Sequence, residues 1–209
     1  MTLQKSSSAK PKADPKQIEA LKKSIQESVK VQSALLTSWT LLEALAHASS
    51  QMAQTLRGGG KILFFGNGGS ASESLHMAGE LVGRFGSRPR KGLPALALPA
   101  NVAAVTAIGN DFGYEQLFSR QIEAFGQPGD VAVGLSTSGE SRNVLKGLKQ
   151  AKKQGLFTIG MTGEKGEEMR RMTDLCLCIP SSNTQRIQEA HLLMGHLLCE
   201  LIEEALLKP

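Results

Sequence analysis

The chain has 209 residues, 41% hydrophobic and 21% charged, which suits one globular unit whose core needs no disulfide or metal staple. Most of its formal charge of +5 sits at the start, where residues 1–16 hold Lys5, Lys10, Lys12 and Lys16 against Asp14 alone. This is a solvated basic tail, and nucleic-acid binding is not expected of it. No apolar run approaches the ~20 residues of a membrane span, and the first residues lack the apolar stretch of a secretory signal. Cys176, Cys178 and Cys199 show no Cys-x-x-Cys spacing, which argues against a disulfide framework and for a reducing, cytoplasmic setting.

Residues 1–13 are polar and rich in Ser and Lys, and are expected to form a disordered tail, leaving 14–209 as a single domain. Asp14-Pro15 reads as an N-cap followed by proline at the first helical position. Ile18, Leu21, Ile25 and Val29 then recur at helical spacing. A second helix is predicted over 41–57, with Leu41, Leu45, Ala48, Met52 and Leu56 on one face, ended by Gly58-Gly59-Gly60. From there short apolar runs alternate with helical stretches. Ile62–Phe65 leads through a Gly-rich turn to a helix reaching about Phe85. Ala95–Leu98 precedes helical pieces from Val102 and Tyr114. Val131–Leu135 precedes a helix reaching Gln154. Phe157–Met161 and Leu175–Ile179 follow, and a long helix runs from Thr184 to Leu207. Cys176 and Cys178 would share one strand face as small buried residues. Such runs, apolar on both faces and separated by helices, predict an α/β fold with a parallel sheet covered on both sides.

In these sheets ligands bind outside the carboxyl ends of the strands. Two strand ends carry unusual loops. Ser136, Thr137, Ser138 and Ser141 place four hydroxyls within six residues at a helix start, and such a start attracts a phosphate through its free N–H groups and dipole. One residue suffices to cap a helix, so four point to an anion site. Gly66-Asn67-Gly68-Gly69-Ser70 lets a ligand approach the backbone. With Ala71 it fits the loose dinucleotide fingerprint, but no acid closes the second run to hold a ribose. No Gly-Lys-Ser/Thr occurs either, so a nucleotide cofactor is not expected.

His76 and Glu80, four apart on the following helix, share one face and could share a cation or a proton. The last helix offers Gln188, Glu189, His191 and His196. Gln188 and His196 lie ~12 Å apart along the axis, offset by ~80°, which permits a shared metal without demanding it. His191 is as well placed by spacing, although a surface or interface histidine is its plainer reading.

Together, Gly66–Glu80, Gly109-Asn110-Asp111-Phe112-Gly113, Ser136–Ser141 and Arg186-Ile187-Gln188-Glu189 through His196 resemble the sugar isomerase (SIS) family, and within it the branch acting on heptose phosphates. The resemblance spans most of residues 15–206. It implies a three-layer αβα sandwich, flavodoxin-like or Rossmann-like, with a five-stranded parallel sheet and added N-terminal helices. It implies a homotetramer with interfacial active sites that converts D-sedoheptulose 7-phosphate to D-glycero-D-manno-heptose 7-phosphate for the lipopolysaccharide core. Matched by position, one zinc ion per subunit would be held by His76, Glu80, Gln188 and His196. Substrate contacts would come from Asn67, Gly68, Gly69, Ser70, Glu80, Asn110, Asp111, Ser136, Thr137, Ser138, Ser141 and Gln188, and Glu80 and His196 would be the acid–base pair. Ketose–aldose interconversion through an enediol needs such groups.

Two positions depart from the family pattern. Glu73 stands where aspartate is common, and Glu140 replaces an asparagine, adding a carboxylate beside the expected phosphate site unless it faces solvent or pairs with Arg142. Rival readings are a non-catalytic SIS protein associated with the bacterial replication initiator and a sugar-phosphate-binding regulator. Retention of Glu80 and His196 favours the enzyme over the first, and residues 1–60 lack the DNA-binding module expected of the second.

Overall fold

Two helices open the chain. The computed structural model describes residues 13–86 and 89–207, so the expected disordered tail, apart from Ala13, lies outside the described residues. Helix α1 (Pro15–Thr37) starts where the Asp14 side chain accepts from the Lys16 N–H at 2.9 Å. Helix α2 (Trp39–Arg57) buries Leu41, Leu45, Ala48 and Met52 as its spacing predicts.

The apolar stripe of α1 behaves differently. Ile18, Leu21, Ile25 and Val29 are 41 to 63% exposed, whereas Val31 and Leu35 are buried. The Arg186 guanidinium donates to the Ser24 carbonyl, and the Ser28 hydroxyl donates to Glu189. α1 therefore docks on a stripe through Ser24, Ser28, Val31 and Leu35, about 90° around the helix from its apolar one.

The remaining elements alternate: β1 (Ile62–Gly66), α3 (Gly69–Val82), β2 (Ala95–Ala97), α4 (Val102–Phe112), α5 (Leu117–Phe125), β3 (Val131–Leu135), α6 (Arg142–Lys153), β4 (Phe157–Thr162), α7 (Glu167–Met172), β5 (Leu175–Cys178) and α8 (Thr184–Leu207). The sheet order is β2-β1-β3-β4-β5, and every pairing is parallel. Side chains alternate across each strand. Ile62, Phe64, Val131, Val133 and Leu135 pack with α1, α2, α3 and α8. Leu63, Phe65 and Ala132 pack with α5, α6 and Met169 of α7. The result is the expected three-layer αβα sandwich. From β1 the chain moves outward to β2, and from β3 it moves the other way, so the loops after β1 and β3 flank the topological switch point where a ligand crevice opens.

α3 stops at Val82, three residues short of the expected Phe85, because Gly83 caps it. The short α7 escapes the sequence pattern. Cys176 and Cys178 are half-buried rather than buried, because β5 is an edge strand that pairs only with β4. Among the described residues no helix is long and apolar enough to cross a membrane.

Candidate functional site

The first loop turns at Gly68, whose φ of +54° is a conformation that side-chain-bearing residues rarely adopt. Asn67 is tied across the crevice. Its amide donates to Asn143 Oδ1 at 2.8 Å, and Asn143 returns the bond at 2.8 Å. The Tyr114 hydroxyl also donates to Asn67 Oδ1 at 2.9 Å. Asn143, buried in the first turn of α6 and accepting from the Val144 N–H, thus locks one loop to the other. Sequence reasoning missed Asn143 and Tyr114; the available signal was an asparagine just inside the helix after the serine loop.

In that second loop the hydroxyls gather on one another. The Ser136 hydroxyl donates to Ser141 Oγ at 2.9 Å, accepts from the Gly139 N–H at 3.1 Å and lies 3.4 Å from Ser138 Oγ. Ser141 is the N-cap residue of α6, yet its side chain makes no capping bond. Capping alone therefore does not explain the cluster, and its place at a helix N-terminus suits a phosphate. Thr137 is half-buried and Ser138 exposed, while Ser70 is buried at the start of α3. Glu140 is exposed, and Arg142 pairs with Glu115 at 3.1 Å instead. Lys146, 2.6 Å away, and then Arg142 hold the Glu115 carboxyl below its ordinary range. Asn110 donates to Asp111 at 2.7 Å, and both are exposed at the end of α4. Among the described residues no hydrogen bond ties that pair to either loop.

α3 and α8 run side by side in the same direction. Gly69 meets Gln188, Glu73 meets His191, Met77 lies against Gly195, His76 meets His196, and the N–H groups of Phe85 and Gly86 reach Glu203. Small residues bring the helices close. A β-carbon on Gly69 would stand 2.2 Å from Gln188 Nε2.

Midway along this seam His76 Nε2 lies 2.7 Å from His196 Nε2 and 3.4 Å from Glu80 Oε1. One donor atom from each of the three residues falls within 4.8 Å of the others. Two imidazoles and a carboxylate are a donor set that suits zinc. Gln188 sits against Gly69, at the loop end of the seam. The Glu80 side chain remains 24% exposed, open to a ligand.

Two further features were not expected. His191 is fully buried, not on the surface, with Nδ1 3.8 Å from Glu73 Oε2. Both its ring nitrogens and that oxygen lack hydrogen-bond partners. Arg90 donates to the Glu80 and Leu81 carbonyls at 2.8 and 2.7 Å and to Glu203 at 2.5 Å, bracing the turn that carries Glu80. Burial opposes ionisation of Glu203, but the N–H groups of Phe85 and Gly86 together with Arg90 hold its carboxyl below the ordinary value.

Comparison with known proteins places this geometry. Residues 16–163 match the SIS domain family. A phosphoheptose isomerase of Aneurinibacillus thermoaerophilus is 45% identical over 188 residues, covering 90% of this chain and 94% of its own. One from Burkholderia pseudomallei is 46% identical over 183 residues, covering 88% and 92%. Among solved structures, a phosphoheptose isomerase of Neisseria gonorrhoeae superposes with a TM-score of 0.83 at 38% identity, covering 89% of this chain and 98% of its own. That of Francisella tularensis superposes at 0.86 with 33% identity, covering 90% and 98%.

Proposed function

The chain belongs to the SIS domain family, as one of its phosphoheptose isomerases, and from this premise we propose that it converts D-sedoheptulose 7-phosphate to D-glycero-D-manno-heptose 7-phosphate in the cytoplasm, for lipopolysaccharide core synthesis. The observation that carries the reading is the meeting of His76, Glu80 and His196 on a seam whose other end opens at the anion loops. Seven residues of α3 separate Gly69 from His76, a rise of ~10 Å, on the scale of an extended seven-carbon phosphate ester.

The phosphate end is held by Ser136, Thr137, Ser138 and Ser141, by Ser70, and by the backbone of Gly68 and Gly69, with the α6 dipole adding favourable potential. Asn67, cross-linked to Asn143, keeps the two loops in register. At the carbonyl end Glu80 and His196 act as the acid–base pair. One takes the proton from the carbon beside the carbonyl, and the other serves the oxygens of the enediol. His76, Glu80 and His196 would hold one zinc ion per subunit, joined by Gln188 once its side chain turns from Gly69 toward them, and the ion when bound would supply a Lewis acid for the carbonyl and for enediolate charge. Gln188, lying against Gly69, links the two ends.

The sites are proposed to be shared within a homotetramer. Helix α4 is apolar yet buries no residue; its terminal Val102 and Phe112 and the following Tyr114 are 53 to 69% exposed, and the α1 stripe is exposed as well. Contiguous exposed apolar surface marks an interaction face. Association over α4 would carry Asn110 and Asp111 toward a neighbour's pocket.

The test is incubation of purified protein with sedoheptulose 7-phosphate, with fructose 6-phosphate as comparison. Appearance of the aldose heptose phosphate from the first supports the reading, and no conversion of it refutes the reading.

A further inference from the structure

β5 presents two thiols on one face of the sheet edge. The sulfurs of Cys176 and Cys178 are 3.5 Å apart. The Arg170 guanidinium, from α7, donates its Nε–H to Cys178 Sγ at 3.3 Å. Both cysteines are half-buried, so reagents can reach them, whereas Cys199 is 1% exposed within α8. None of these residues enters the isomerase site.

We propose that Cys178 is a peroxide-reactive thiolate and that Cys176 is its resolving thiol, the two closing a reversible disulfide within β5. The reactive form of cysteine is the thiolate, favoured by a nearby cation and by a hydrogen-bond donor. Here the neighbouring Cys176 S–H contributes most and burial opposes it, while Arg170 and then His191 of α8 add to it; Cys178 is lowered to about 6. Cys176 is correspondingly pushed up and keeps its proton. Burial pushes Cys199 up to about 12. Cys178 is thus the sulfur that the Arg170 guanidinium contacts, and it lies 3.5 Å from a second thiol.

The chemistry balances with a hydroperoxide as oxidant. The Cys178 thiolate attacks the O–O bond, an S–O bond forms, and the leaving alkoxide takes a proton from water to depart as alcohol. The sulfur is oxidised by two electrons to a sulfenic acid. Cys176 then loses its proton and displaces the sulfenic oxygen, which leaves as water as the S–S bond forms. In total two thiols and one hydroperoxide give a disulfide, an alcohol and water. Two residues on one strand face stand about 6.6 Å apart at Cα, at the outer end of the range a disulfide spans, and their β-carbons must close to about 3.5–4.5 Å, so forming the bond bends this edge strand. The bond is therefore strained and readily reduced, which makes it a reversible mark rather than a staple.

The test uses the full chain with stoichiometric hydrogen peroxide, then acid quench and tryptic peptide mass analysis. Residues 172–186 form one tryptic peptide holding both cysteines. It should lose two hydrogens, and reductant should restore them. In Cys176→Ser the peptide should instead be trapped by dimedone at Cys178. In Cys178→Ser it should stay unmodified, and Cys199 should stay reduced throughout. Arg170→Gln should slow iodoacetamide alkylation of Cys178 at pH 7 by up to about tenfold, as its pKa returns toward an ordinary thiol's. Equal oxidation of Cys199 and Cys178, unchanged oxidation of the peptide in Cys178→Ser, or an Arg170→Gln rate equal to wild type would overturn the proposal.

Discussion

Gly69→Ala separates the site from the fold. Gly69 opens α3 and is not among the glycines with positive φ, so alanine can adopt its backbone. Glycine-to-alanine changes of this kind stabilise by about 0.4–1 kcal/mol through the unfolded chain. The new β-carbon would stand 2.2 Å from Gln188 Nε2, 2.8 Å from its Cδ and 3.0 Å from its Oε1. All three are atoms at the end of a flexible side chain, so Gln188 yields and the helices stay. Restoring van der Waals contact moves that amide by ~1 Å, a displacement that costs roughly 100-fold in rate at a catalytic site, or about 2.7 kcal/mol of barrier. The account predicts a melting temperature equal to or above wild type and a kcat/KM about 100-fold lower. In a Gln188→Ala background the same change should cost almost nothing further, since its target is gone. Full activity of Gly69→Ala, or a large extra loss in the double variant, would refute the assignment of Gln188.

Glu203→Gln should cost about 3–5 kcal/mol, because it strands the buried Arg90 guanidinium; chemical denaturation checks this. The folded pKa of Glu203 lies below its ordinary value of 4.5, so its contribution is complete above that pH and is lost as pH falls through the folded value. Below pH 4.5 the gap between wild type and variant should therefore narrow. Asn143→Ala removes both bonds between that side chain and Asn67, which keeps the Tyr114 hydroxyl, and takes the acceptor from the Val144 N–H, costing about 1–3 kcal/mol. If the loops grip the phosphate, KM should rise more than kcat falls in steady-state assays. Removing metal with a chelator should abolish turnover and zinc should restore it, with the melting temperature falling and recovering in parallel. Full activity of protein shown to be metal-free would count against the ligand set.

Much of this architecture is legible in the sequence because it depends on local pattern. The five apolar runs become the five strands, Val131–Leu135 unchanged and the others differing by one residue at the carboxyl end, since a strand buried on both faces needs a continuous apolar run. The two loops stand out through glycine and hydroxyl density, and the spacing of His76 and Glu80 guarantees a shared helix face. Joining His76 to His196, 120 residues away, lies beyond periodicity, and only the family resemblance put them together. The outward stripe of α1 escapes for a related reason: spacing shows that a helix has an apolar face but not which element covers it. Glu73 with His191, Arg90 with Glu203, and Asn67 with Asn143 are long-range polar pairs. Their partners are set by how α3, α6 and α8 pack, and no local pattern announces them. Glu140 illustrates the limit: the sequence allowed solvent or Arg142, and packing gave Arg142 to Glu115.

The decisive measurement is turnover of sedoheptulose 7-phosphate in deuterated water by wild type and Glu80→Gln, followed by mass spectrometry and NMR of the sugar. Wild type should yield the aldose carrying solvent deuterium at the carbon that receives the proton. Glu80→Gln should stay folded and yield neither product nor exchange. Product formation by Glu80→Gln at a rate near wild type would contradict the claim that this carboxylate moves the proton.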